Sequence, residues 1–103
     1  MNIDPIDIVK KYLTEVRRLG INIDRAYLFG SYAKGNPKES SDIDMCVVSN
    51  LFGHDYFDEM VMLRKLAISI DAKIEPVPFT PSDLEDKYNT LASEIRKYGK
   101  TLL

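Results

Sequence analysis

Leu28-Phe-Gly-Ser-Tyr-Ala-Lys-Gly-Asn-Pro-Lys-Glu-Ser-Ser-Asp-Ile-Asp-Met-Cys-Val-Val48 runs from an apolar pair, through a series of turn formers, into an alternating segment. Just upstream, Arg25-Ala-Tyr-Leu-Phe29 is short, rich in aromatic residues and closed by Gly30, which suits a buried strand better than a helix. Gly35, Asn36, Pro37, Ser40 and Ser41 then predict a loop, because turn formers at that density hold no long element. From about Ser41, the residues Ile43, Met45 and Val47 alternate with Asp42, Asp44, Cys46 and Val48. A second strand is predicted there, with both carboxylates on one face.

This stretch couples a phosphate-type turn to paired acids. A glycine directly after a strand lets backbone N–H groups approach an anion, and the Ser31 hydroxyl adds a donor. If residues 31–34 open a short helix, its first turn adds favourable partial charge at the same place. Asp42 and Asp44 stand two apart on an extended chain, so their backbones are about 6.6 Å apart at about 3.3 Å per residue. Mg²⁺ is held by one or two protein carboxylates and completes its octahedron with water and phosphate oxygens. Two such ions about 3.5–4 Å apart activate an attacking hydroxyl and stabilise a leaving pyrophosphate. A third carboxylate from a neighbouring strand completes the arrangement, and Glu75 is the candidate. Asp71 shares its parity but precedes the strand, which makes it a weaker substitute.

Working outward, Asp4-Pro5 reads as a helix cap and first helical position. Val9, Tyr12, Leu13, Val16 and Leu19 then mark a helix over about residues 5–19, ended by Gly20. Tyr56, Met60, Leu63 and Ala67 mark an amphipathic helix over about 55–68. Residues 73–79 read as a third strand, which Pro76 and Pro78 place at an edge or shorten, since each removes a ladder donor. Thr80-Pro81 opens another helix, and a last one over about 91–98 stops at Gly99. The order is helix, strand, strand, helix, strand, helix, helix, an α+β pattern with no repeat, linker or low-complexity segment.

The chain has 103 residues, the length of a single domain spanning 1–103, and 45% are hydrophobic against 29% charged. That balance excludes general disorder. Fourteen Lys and Arg against sixteen Asp and Glu leave a charge of −2, which argues against a polynucleotide partner. No apolar run is long enough to span a bilayer, so no membrane role is expected. The single cysteine, Cys46, has apolar neighbours and reads as an inert buried thiol of a reducing, cytoplasmic protein. Tyr27 and Phe29 read as core, His54 as a loop residue, and Lys34 and Lys38 as solvated loop lysines. Lys97 and Lys100 complement a helix end.

The pattern Gly30-Ser31, ten residues, then Asp42-Ile43-Asp44 resembles the polymerase-beta-type nucleotidyltransferases. Within them the chain is similar to the minimal nucleotidyltransferases, which consist of little beyond the catalytic palm. The resemblance covers about residues 5–98. It implies a small mixed sheet of three or four strands flanked by helices, and Mg²⁺-dependent transfer of a nucleoside monophosphate, most often AMP from ATP, to a hydroxyl acceptor. Asp42 and Asp44 would be metal ligands, with two ions expected. Glu75 would take the third-acid role, binding one metal and acting as base toward the attacking hydroxyl or orienting it, although many relatives have Asp there. Gly30 and Ser31 would bind the triphosphate. Relatives of this kind pair with helical HEPN-type toxins, which they neutralise by adding AMP to a toxin tyrosine, so a toxin of that type is the expected partner. A second copy of the chain is a further candidate partner. The alternative is a binding module of weak or absent catalysis that neutralises a partner by covering it, and the Glu75 departure keeps that alternative in play.

Overall fold

In the computed structural model, which describes residues 4–38 and 41–103, the chain begins with helix α1, Pro5–Arg18. The Asp4 carboxylate accepts from the Ile6 N–H at 2.9 Å, and Pro5 occupies the first turn, where its missing donor costs nothing. Val9, Tyr12, Leu13 and Val16 are its buried stripe. Leu19, expected to extend that stripe, is 53% exposed because the helix ends at Arg18 and Leu19 is its cap.

Strand β1 (Arg25–Phe29), a single-turn helix α2 (Ser31–Lys34), strand β2 (Ile43–Val48), helix α3 (Tyr56–Ile70) and strand β3 (Ile74–Phe79) follow. Helices α4 (Pro81–Glu85) and α5 (Thr90–Tyr98) and a two-residue strand β4 (Lys100–Thr101) complete the described chain. The expected turn former Ser40 lies outside the described residues. Tyr56, expected on the apolar face of α3, is exposed at its first turn, where the helix has not yet reached the sheet. Thr80 caps α4 reciprocally with Asp83, as Thr80-Pro81 suggests.

The four strands form one sheet in the order β3-β2-β1-β4. β1 runs antiparallel to β2 and β4, while β2 and β3 are parallel, with α3 as the crossover that parallel neighbours require. β3 is an edge strand, as its prolines demand. The Lys73 and Phe79 carbonyls face β2, so Pro76 and Pro78, of opposite parity, turn their donorless nitrogens to the side that has no neighbouring strand among the described residues. β4 is an addition to the expected order. It pairs Tyr27 with Thr101 and Leu28 with Lys100, so Lys100 belongs to the sheet and does not simply follow a helix end.

Each face of the sheet buries its own cluster. Ile43, Met45, Val47 and Ile74 pack with Val9, Tyr12 and Leu13 of α1 and with Leu63 and Ala67 of α3. Phe29, Cys46, Val48 and Phe79 pack with Leu84, Ala92 and Ile95 of α4 and α5. Cys46 is fully buried and burial pushes its thiol up to about 12, so it is an inert core residue. The Tyr12 hydroxyl donates to the Leu63 carbonyl at 2.8 Å inside the first cluster, joining α1 to α3, and burial pushes the phenol up. Tyr12→Phe is expected to cost about 1 kcal/mol in urea denaturation with the denaturant slope unchanged, because shape is kept and one buried hydrogen bond is lost.

Candidate active site

The site is organised by the register of β2. Asp44 stands opposite Phe29 on one side and opposite Glu75 on the other. The end of β1, Asp44 and Glu75 therefore lie side by side across three strands. Asp44 shares parity with Cys46 and projects on the α4/α5 side of the sheet. Asp42 lies just before the strand, exposed. The sequence pattern starts the strand at Ser41, but the ladder begins only where the Ile43 N–H donates to the Lys73 carbonyl at 2.7 Å.

Gly30 follows Phe29 with φ 71°, in the left-handed region, and caps α2. A Cβ placed there would stand 2.3 Å from Asp44 Oδ2. The glycine is thus required twice, by its backbone conformation and by the carboxylate against it. Its carbonyl accepts from the Ala33 and Lys34 N–H groups at 3.2 and 3.1 Å. The N–H groups that open such a turn have no partner within it, and these belong to Ser31 and its neighbour.

Asp44 is partly buried, and its pKa is raised by burial first and then by the charges of Asp42, Glu75 and Glu94. Glu94, on α5, is the acid that sequence reading missed, since nothing in its helical context distinguishes it from a solvated residue. Its contact shows why it matters: Lys34 Nζ donates to Glu94 Oε1 at 2.9 Å and lies 5.3 Å from the Tyr98 ring centre. That hydrogen bond and the Glu94 charge raise the Lys34 pKa. The expected solvated lysine therefore ties α2 to α5. Lys38 is exposed, and its N–H donates to Ser41 Oγ at 2.7 Å, closing the loop. His54 is an exposed loop residue whose N–H donates to Glu59 Oε2 at 3.2 Å.

Glu75 is adjacent to Asp44 by register, yet its carboxylate is gripped by Arg64 of α3. Arg64 Nη2 donates to Oε1 at 2.8 Å, and Nη1 lies 2.5 Å from Oε2. Among the described residues no three His, Cys, Asp or Glu side chains gather closely enough to hold a metal ion. Asp71, the weaker substitute, spends its carboxylate on the Lys73 N–H at 2.8 Å. What the site offers a hard cation is the Asp42 and Asp44 pair. Its oxygen donors suit Mg²⁺, and a cation there would oppose the burial, and after it the neighbouring acid charge, that raise the Asp44 pKa.

A family model described as nucleotidyltransferase domain matches residues 9–98. Three solved structures are similar over nearly the whole chain. A Sulfolobus solfataricus protein superposes with a TM-score of 0.70 at 22% identity, over 93% of this chain and 77% of that one, which establishes likeness of fold. A toxin–antitoxin structure with AMP-PNP gives 0.66 at 28% identity, over 95% of this chain and 72% of that one. A Shewanella oneidensis structure, a tri-AMPylated HEPN toxin in complex with MNT antitoxin, gives 0.59 at 26% identity, over 96% and 69%. No curated protein matches the chain by sequence.

The close approach of Gly30 and Asp44 has a direct test. Gly30→Ala is expected to destabilise by about 2–4 kcal/mol, while Gly35→Ala, at a left-handed position with nothing near its added methyl, costs about 1 kcal/mol; urea denaturation of the two variants reads the difference. The raised Asp44 pKa has a second. The folded state binds this proton more tightly than the unfolded chain, so ionised Asp44 destabilises at neutral pH, and the penalty fades as pH falls through the raised value toward the ordinary 3.8. Asp44→Asn is therefore expected to be more stable than the parent at about pH 7, with the gap closing by about pH 4, as read by thermal melts across that range.

Proposed function

The chain belongs to the nucleotidyltransferase domain family, and from that premise we propose that it transfers AMP from ATP to a tyrosine hydroxyl of a HEPN-type toxin, acting as its antitoxin. The observation that carries this reading is the Asp44 carboxylate set against Gly30, which places an acid at the mouth of a glycine-serine turn. A purely steric role has no use for that arrangement. The similar structures support the partner and the group transferred: one is a toxin–antitoxin structure with AMP-PNP, and in another the HEPN toxin bound to MNT antitoxin is AMPylated.

In this mechanism the backbone at Gly30–Ser31 and the Ser31 hydroxyl hold the triphosphate. Asp42 and Asp44 would hold Mg²⁺, which when bound neutralises phosphate charge and favours ionisation of the attacking hydroxyl. Glu75, released from Arg64, takes the hydroxyl proton. The acceptor oxygen forms its bond to the α-phosphorus, the bond from that phosphorus to the bridging oxygen breaks, and pyrophosphate leaves with the electron pair. The Lys34–Glu94 contact keeps α2, and with it the glycine-serine turn, in place against α5. The −2 charge of the chain favours a protein acceptor over a polynucleotide.

A second reading, a binding module of weak catalysis, is favoured by one observation: the third acid is engaged by an arginine. The two readings separate on labelled ATP. With Mg²⁺ and a lysate of its own source, the chain is expected to label one discrete protein, and Asp44→Asn to lower the rate by on the order of a hundredfold or more. Gel and intact-mass analysis of the labelled species give the answer. Equal labelling by the variant would sink the catalytic assignment, and no labelling alongside a stable complex would leave the binding module.

A further inference from the structure

Arg64 and Glu75 are joined by a two-pronged ion pair at the outer edge of the sheet. Glu75 has the parity of Val77 and Phe79 and so projects on the α4/α5 side. Arg64 stands on α3, whose Leu63 and Ala67 pack on the opposite side. The two meet because, among the described residues, β3 has no strand beyond it, and the guanidinium reaches Glu75 around that open edge. Both carboxylate oxygens are taken, at 2.8 and 2.5 Å. The side chains remain 49% and 26% exposed, so the pair is accessible to competition by solvent and ions.

The geometry points to Arg64 as a positioning residue that withholds Glu75 from the cation site, leaving a two-acid site at rest. This inference rests on the reading of Asp42, Asp44 and Glu75 as the metal-side carboxylates. The planar fork of arginine matches both oxygens of a carboxylate, and a lysine presents only a point charge. Glutamate is also one methylene longer than aspartate, which lengthens its reach toward the sheet edge. Release of Glu75 toward Asp44, its register partner, adds a third oxygen ligand at the cost of one partly exposed ion pair.

The test is a double-mutant cycle on Mn²⁺ affinity of the full chain without nucleotide, read by electron paramagnetic resonance of free Mn²⁺. Arg64→Gln is expected to tighten Mn²⁺ binding about two- to fivefold, the scale of one such ion pair. In a Glu75→Gln background the same change is expected to do nothing. Arg64→Lys, which keeps the charge and loses the fork, is expected to tighten binding most of the way to Arg64→Gln. A gain that persists in the Glu75→Gln background would overturn the proposal, because removal of any nearby positive charge would then explain it. So would a Lys variant equal to the parent, or no gain in any variant. The proposed AMP transfer is judged separately, by labelling with the parent chain and Asp44→Asn, so either idea can fail while the other stands.

Discussion

The pairing of β2 with both of its neighbours is the constraint from which the rest of the site descends. One residue, Asp44, is set opposite Phe29 by the antiparallel ladder and opposite Glu75 by the parallel one. A one-residue slip on either side would turn its side chain away from a partner, because side-chain direction alternates along a strand. Register is held by burial: Ile43, Met45 and Val47 fill one face while Cys46 and Val48 fill the other, so β2 has no exposed face to slip onto. The apolar residues of the strand thus aim its one partly buried acid.

That aim carries a cost in stability. A carboxylate is held partly buried, with three others near enough to push its pKa up, and with a left-handed glycine pressed against it. Crowded like charge and a special backbone conformation are both features that a fold optimised for stability alone would shed. Their coincidence at one point, where β1 turns into α2, marks the place where the chain departs from local preference. Such departures gather where chemistry is done.

Much of this was legible in the chain itself. The strand before Gly30, the alternating segment after the loop, the cap at Asp4 and the proline-marked edge strand all follow from local rules, and all appear in the structure. The likeness to minimal nucleotidyltransferases was legible too, because Gly30-Ser31 and Asp42-Ile43-Asp44 fall in a strand-loop-strand context. What was not legible depends on contacts between distant residues. Glu94 is 60 residues from Lys34 in the chain, and nothing on α5 distinguishes it from any solvated glutamate. Arg64 sits on a helix predicted correctly, but its partner is fixed only once β3 lies at the edge. β4 has two residues, too few for any alternation to show. Leu19 and Tyr56 were misplaced for the same reason, since periodicity marks a stripe without saying where packing stops.

The distribution of partners around the site completes the physical picture. Of the acids that act on Asp44, Glu94 is answered by Lys34 from α2 and Glu75 by Arg64 from α3. Burial and the charges of Asp42, Glu75 and Glu94 all push the Asp44 pKa in one direction, upward. The two cations therefore neutralise the periphery and leave the demand for positive charge concentrated at Asp42 and Asp44, beside the glycine-serine turn. A hard divalent ion is the kind of charge that two carboxylates can hold, with water or phosphate oxygens filling the rest of its shell. On the proposed reading, the charge pattern and the backbone turn act together on one ligand, a metal-bound nucleotide, and neither alone would specify it.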